Sequence, residues 1–441
     1  MPIEYCAVHR QVERFPTSQN THQMIVRFSL YSIFKNLRFA DPFLLLYLLH
    51  LGSSFTSIGL LLGFGAITTA VLEVPSGLFA DQWGRIKSVA TCFLAYAVSF
   101  SLFPFATTAD DGERLIWLYA AIACFSLGEA LRTGCHKAIM LDWLNSEDRT
   151  GEATRMIGTT RAWSKGATGV SALGGGLILF LTGGYAWLFY LSAVAAVGGF
   201  VLMLTYPASL EGEKTRERRS AKKAVESPGL LERFWKSGSD PGFGRLFVES
   251  VTFESQIKLM LKYYLQPWLK ITLEAGGLAI IGPGALSIGA YELVRNSVGG
   301  AGALASTRLE RIAGGRGAAL TLAYLGALMI SLVLILCLWV DWLVVGLILM
   351  LGLTVLQNGR RPIFVSAFNE VMDKSARATT LSIESQARSV VTAMLLPITG
   401  WLADQFGLIA VCLALTGVLL SGLVMGRMLQ PTPQSTPTGS P

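Results

Sequence analysis

Apolar runs of about 20 residues, separated by short polar breaks, recur from residue 30 to residue 428, and each is long enough to cross a hydrocarbon core of about 30 Å. The pattern predicts twelve helical spans, near 29–51, 56–80, 87–106, 115–143, 154–181, 185–206, 244–266, 275–300, 317–340, 342–366, 377–402 and 407–427. Strands of a membrane barrel would be about 10 residues long with strict alternation, and no such alternation runs through the chain. An even number of spans leaves both termini on one face.

The longest polar break, Glu211 to Arg245, carries Lys214, Arg216, Arg218, Arg219, Lys222, Lys223, Arg233, Lys236 and Arg245, together with Pro228, Gly229 and the run SGSDPG. It predicts a solvated linker between two halves. The organisation expected is a polar arm (1–28), a six-helix bundle (29–206), a linker (207–243), a second six-helix bundle (244–428) and a Pro/Thr/Ser-rich disordered tail (429–441). Loops on the other face carry little base, Arg114 in one and Lys270 in another. Since cytoplasmic loops collect Lys and Arg, the expectation is that the N-terminus, the linker and the C-terminus face the cytoplasm, across a bacterial inner membrane. The first 25 residues lack the charged start, apolar core and small-residue site of a cleaved signal peptide.

Composition agrees with a polytopic membrane protein. The 441 residues are 52% hydrophobic and 15% charged, with a mean hydropathy of +0.51, whereas soluble domains carry about 25% charged residues. The net charge of +7 resides mostly in loops and sets orientation; no nucleic-acid partner is expected. Cys92, Cys124, Cys135, Cys337 and Cys412 lie inside apolar spans without CxxC spacing and read as packing residues. His9 and His22 sit in the arm, and no HExxH, Walker loop or GxSxG elbow occurs. Neither an enzyme nor an ATP-driven pump is expected, and no metal or cofactor.

Two octets invite comparison: GLFADQWG (77–84) and GWLADQFG (400–407). The offset of 323 between them puts the first at the cytoplasmic end of span 2 and the second at the outer end of span 11, so they are not equivalent by duplication. An offset of 225 works without gaps. It pairs Pro42 with Pro267, Gly77 with Gly302, Ala80 with Ala305, Gly134 with Gly359 and Gly175 with Gly400, and lays DRTGEAT (148–154) on DKSARAT (373–379). Two parallel halves of six spans, joined by a long loop, are a transporter architecture.

Gly77, Asp81, Gly84, Arg85 and Lys87 resemble the loop between spans 2 and 3 that marks the major facilitator superfamily, G-x-L-A-D-x-x-G-R-[KR]-x, with FA at 79–80 in place of LA and the base at Lys87, one place after the [KR] position that Ile86 occupies. The chain resembles that superfamily over nearly its whole length, and EVPSG (73–77) is similar to a subgroup of bacterial members, most of them exporters or of unknown substrate. The resemblance implies an all-α membrane protein of two pseudo-symmetric six-helix bundles, and a gate in which Asp81 and Arg85 latch the halves in the outward-facing state. The second copy keeps Gly302 and Ala305 but has Ser306 for the acid. Chemically, Gly77 and Gly84 permit close approach and a tight turn, and Asp81 can pair with Arg85 or cap a helix N-terminus.

Charge inside the bilayer is costly, so its distribution is informative. Spans 3, 6, 9 and 12 carry none in their central parts and can face lipid. Asp41 and Pro42 lie about 15 Å from the outer end of span 1, with Arg38 on the same face. Glu129 and Arg132, Arg161 and Lys165, Glu384 and Arg388, and Lys258 and Lys262 form i,i+3 or i,i+4 pairs. Arg38, Asp41, Glu129, Arg132, Arg161, Lys165, Glu384 and Arg388 are therefore candidates for a substrate or proton pathway; the alternative is that each pair only fixes helix packing. Glu73, Glu292, Arg360 and Arg361 read as gate or loop-facing groups. Bases outnumber acids, which favours an anionic or zwitterionic solute, and Asp41 and Glu129 are the proton candidates. SALGGG (171–176) keeps half of the superfamily's antiporter signature. The expectation is a monomeric secondary transporter in the lipid bilayer, moving a small molecule by proton-coupled export. Uptake or facilitated diffusion of an organic anion, and a non-transporting sensor or assembly protein of the same fold, are the alternatives.

Overall fold

The computed structural model describes residues 18–207, 210, 241–372 and 377–429; most of the linker, the tail and the first 17 residues lie outside them. The described residues form helices, short 3-10 and π turns and no strand. The first half contains α1 (Ser18–Asn36), a 3-10 turn (Asp41–Phe43), α2 (Leu44–His50), α3 (Phe55–Trp83), α4 (Arg85–Leu102), α5 (Phe105–Thr108), α6 (Asp111–Arg132), α7 (Cys135–Ser146), α8 (Ala153–Thr182) and α9 (Ala186–Leu204). The second contains α10 (Pro241–Lys258), a π turn (Leu259–Tyr264), α11 (Leu265–Ala275), a second π turn (Ile280–Gly284), α12 (Ala285–Leu304), α13 (Ser306–Ala313), α14 (Arg316–Trp339), α15 (Leu343–Val371) and α16 (Arg377–Met428), which is interrupted at Gly407. Helix α1 begins at Ser18, inside the stretch read as a polar arm.

Eight described stretches are, by length and composition, able to cross a membrane. The twelve spans of the hydropathy pattern are reached only by joining pieces across breaks, and the breaks have identifiable causes. Pro42 lacks an N–H and sits in the 3-10 turn that separates α1 from α2. Its duplicate Pro267 follows the π turn that separates α10 from α11. Gly407, at φ +74°, turns the chain between the two arms of α16, a backbone state that glycine adopts without a Cβ penalty. Apolar side chains on α9 (Val194, Val197, Val201) and α14 (Leu322, Leu332, Leu336) face outward, as expected of lipid-facing helices.

The halves meet chiefly through two helix pairs, α3 against α16 and α8 against α12. The offset of 225 lays α3 over α12 and α8 over the first arm of α16, so the duplication exchanges one cross-half pair for the other. Both contacts are tight because glycines stand where backbones touch. A Cβ on Gly400 would lie 2.3 Å from the Phe55 carbonyl oxygen, one on Gly59 2.4 Å from that of Leu396, and one on Gly176 2.4 Å from that of Ala285. Further along α3 and α8, Gly77, Gly158 and Gly166 have nothing within 4 Å of such a Cβ. The halves are thus joined at the end that carries Phe55 and Gly400, the far end. They part toward the signature end, where Gly84 links α3 to α4.

Candidate functional site: a charged chamber between the halves

Where the halves part, a cavity of about 420 Å³ lies between them. The break between α1 and α2 forms its floor. A helix start leaves its first N–H groups without intrahelical acceptors, and here the acceptor comes from the other half: Leu45 N–H and Leu46 N–H donate to Gln266 Oε1 at 3.0 and 3.3 Å. Gln266 Nε2 donates in turn to the Asp41 carbonyl oxygen at 3.4 Å. A polar side chain of α11 thereby repairs the backbone that Pro42 breaks.

On the first-half wall, Glu129 is held by three groups. Arg38 Nη2 lies 2.8 Å from its Oε1, Arg132 Nη2 2.5 Å from its Oε2, and the Tyr96 hydroxyl donates to Oε1 at 2.7 Å. The Arg38 guanidinium also lies 4.5 Å over the Tyr96 ring and 4.9 Å over that of Phe125, a favourable placement for a cation. Asp41 is bound far more loosely. Its nearest base is Arg38 at 3.7 Å, and its side chain is 46% exposed to the chamber. Phe100, Phe103, Phe125 and Phe189 give this wall an apolar band.

The second-half wall is built by Lys258, Lys262 and Tyr263 around the π turn, and by Ser385, Gln386 and Ser389 of α16. Among the described residues, no carboxylate lies within 4.0 Å of either ammonium. π turns widen a helix locally and are frequent at functional sites.

Of the candidates read from the sequence, Arg38, Asp41, Glu129 and Arg132 come together in this chamber. Glu384 and Arg388 sit behind its wall. Glu384 is fully buried, gripped by Arg361 at 3.1 Å, by Arg388 at 3.0 Å and by the Ser250 hydroxyl at 2.6 Å. Arg361 therefore anchors this cluster, and Arg360 is fully buried against the Phe253 and Phe364 rings rather than loop-facing. Lys165 lines a second cavity of about 230 Å³ and donates to Asn296 Oδ1 at 3.5 Å. Arg161, one turn away, is exposed and lines neither cavity.

In the signature loop, Gly84 stands at φ +101° between α3 and α4, where glycine is the natural residue. Arg85 pairs with Asp142 of α7 at 2.5 Å rather than with Asp81, which is exposed. Gly77 faces open space, and Lys87 lies in the first turn of α4.

The far end holds the counterpart. Asp404 accepts from Phe55 N–H and Thr56 N–H at 2.8 Å each, and from the Thr56 hydroxyl at 2.6 Å. Ser57 N–H is taken by Ser54 Oγ at 3.1 Å. The first turn of α3 is thus capped largely from the other half. The two octets share one local design: a glycine (77, 400), an acid four residues on (81, 404) and a glycine turn three further (84, 407). They sit on antiparallel partners at opposite ends. Asp404 belongs to an octet that the duplication does not pair, and no other motif in the sequence marks it. Lys35 and Tyr96 carried no motif, and Lys258 and Lys262 read only as a like-charged pair. Two bases one turn apart, shortly before Pro267, are the available signal.

The model of the Major Facilitator Superfamily matches residues 28–391. An uncharacterized MFS-type transporter, YxaM of Bacillus subtilis (strain 168), is 32% identical over 112 residues, 25% of this chain and 26% of that protein, so the match spans about a quarter of that relative's length. Among solved structures, the nucleoside transporter NupG (D323A mutant) superposes with a TM-score of 0.69 at 13% identity, over 92% of this chain and 100% of that one. A D-xylose-proton symporter gives 0.63 at 13%, over 93% and 97%. A bacterial homolog of the human lysosomal transporter Spinster, in an inward-facing, unoccupied conformation, gives 0.64 at 15%, over 94% and 96%. With an all-helical fold of two halves around a polar chamber and a family match over most of its length, this chain belongs to the Major Facilitator Superfamily of membrane transporters.

Proposed function

We propose that this protein is a proton-coupled secondary transporter that carries a small solute by alternating access through the chamber between its halves. One observation carries the reading: a cavity lined by charges from both halves lies beyond a closure made by α3 with α16 and α8 with α12. In this reading twelve spans cross an inner membrane, with the signature end and both termini in the cytoplasm, as the basic linker supports. The chamber then opens inward. Rocking the halves breaks the Asp404 clasp and brings Gly77 and Asp81 of α3 against the first turn of α16. Asp41 is the proton site, because it is loosely paired whereas Glu129 is neutralised on both oxygens.

Export is the direction supported by the resemblance of residues 73–77 to exporters. The two lysines without a carboxylate partner favour a second reading, inward movement of an organic anion. Flux of candidate solutes in proteoliposomes, with and without a pH gradient, tests the reading. Uphill flux under a pH gradient, lost in Asp41→Asn, supports it. The same flux with Asp41→Asn removes the proton role, and no flux of any solute leaves a sensor or assembly protein.

A further inference from the structure

We propose that Lys258, Lys262 and Tyr263 bind the anionic head of a small organic acid, and that Asp41 competes with that head for Lys262, so that the anion enters together with one proton. The inference rests on the transporter reading in its second form, inward movement of an organic anion, and names its cargo class and stoichiometry.

Consider first the bases that lack a close carboxylate; Lys262 Nζ lies 5.4 Å from the centre of the Tyr263 ring, a contact that leaves its charge unneutralised. The chamber wall contains five bases (Lys35, Arg38, Arg132, Lys258, Lys262) and three acids (Asp41, Glu73, Glu129). Glu129 is committed to Arg38 and Arg132. Lys258 and Lys262 share the opposite wall with Tyr263, Ser385, Gln386 and Ser389. Two ammoniums in an apolar span with no described carboxylate within 4.0 Å are costly to desolvate. Water supplies the compensation while the chamber is open, and an anion supplies it once the chamber closes. The facing band of Phe100, Phe103, Phe125 and Phe189 suits an apolar or aromatic body, and the 420 Å³ available is of small-molecule size. The class is therefore an aryl or alkyl carboxylate, with its head on the second half and its body on the first.

Geometry supplies the link to the proton. Gln266 touches the Asp41 backbone at 3.4 Å, Lys262 precedes Gln266 by one turn, and Lys262 and Asp41 line the same cavity from opposite halves, where their charges act on each other beyond 4.0 Å. Asp41 has no firmer partner than Arg38 at 3.7 Å. When the chamber is empty, ionised Asp41 is the anion nearest Lys262. An incoming carboxylate takes that place, and Asp41, now facing a like charge, accepts a proton from the open side. When the anion leaves on the other side, the proton follows and Asp41 returns to Lys262. One anion and one proton add no net charge, so the chamber rocks with the same charge loaded or empty. A cycle of this kind moves acid and proton in the same direction and is electroneutral.

The test uses the purified full-length protein and 2-naphthoate, with 2-naphthamide and 2-naphthylmethylammonium as neutral and cationic matches. Calorimetric titration in two buffers of different ionisation enthalpy counts protons taken up. The expected result is that naphthoate binds at least about tenfold more tightly than either match and takes up about one proton per molecule at a pH where Asp41 is ionised. Asp41→Asn should bind naphthoate with no proton uptake. Lys262→Gln should weaken binding about tenfold or more at unchanged thermal stability, and Lys262→Arg should restore it. Equal binding of amide or ammonium, no binding of naphthoate, or proton uptake that persists in Asp41→Asn overturns the proposal. The transporter reading stands or falls separately on solute flux.

Discussion

Asp404 and Thr56 belong to opposite halves of the molecule, and Asp404 accepts both the backbone N–H and the hydroxyl of Thr56, at 2.8 and 2.6 Å. With Phe55 N–H as a third donor, one carboxylate caps the first turn of α3 from across the interface. Such a cap exists only while the far end is closed, so it stabilises one conformation of the pair and not the other. Losing a cap of this type costs on the order of 1–2 kcal/mol, roughly a 5–30-fold change in an equilibrium. Asp404→Ala should therefore raise by that factor the rate at which an impermeant maleimide labels a cysteine at Ile58, which is buried in the same turn. Unchanged labelling would mean that the cap is decorative.

The glycines of the two octets should behave in opposite ways. Gly400→Ala puts a Cβ 2.3 Å from the Phe55 carbonyl oxygen, a backbone contact that cannot yield, so it should hold the far end apart and speed Ile58 labelling. Gly77→Ala meets nothing within 4 Å here and should leave that labelling as it is, yet slow the cycle by obstructing closure at the signature end. If both substitutions shift labelling in the same sense, the octets do not alternate.

Stability and cargo binding should separate along the two sides of the chamber wall. Glu384 is buried with Arg361 and Arg388, and removing one partner of a buried charge cluster costs about 3–5 kcal/mol. Glu384→Ala should lower the unfolding temperature sharply. Ser389→Ala, in the chamber wall, should leave it nearly unchanged. Similar thermal shifts for the two would place Glu384 in the chamber's chemistry rather than in its scaffold.

Arg85 and Asp142 offer a smaller effect. Their side chains are 29% and 38% exposed, and exposed pairs contribute about 0–1 kcal/mol. Asp142→Asn should change the unfolding temperature little, and any loss of flux should match that of Arg85→Ala. Strongly different flux losses would assign Arg85 a partner beyond Asp142.

Fold and duplication were legible in the sequence because both rest on long-range regularities: apolar run length, and an offset of 225 that lays one cross-half helix pair on the other. The chamber was legible in part. Arg38, Asp41, Glu129 and Arg132 cluster because charges in apolar spans have few places to go. Rotation about each helix axis was not legible, and that alone separates Glu384, turned into the scaffold, from Ser385 and Ser389, turned into the cavity. Asp404 was hidden for another reason: its partner is a helix start 348 residues away, and caps leave no residue pattern on the capped side. Arg161 illustrates the converse, since spacing alone paired it with Lys165 whereas only Lys165 turns toward a cavity.

The central claim is a chamber reached from one side at a time. A single cysteine at Ser389, with the six native cysteines replaced by serine, reports it directly through impermeant maleimide applied to inside-out and right-side-out vesicles. The account predicts fast labelling from the cytoplasmic face, and labelling from the outer face only when the Asp404 clasp is weakened or cargo drives the cycle. A cysteine that neither face can reach, or that both reach equally whatever the state of Asp404, would contradict it.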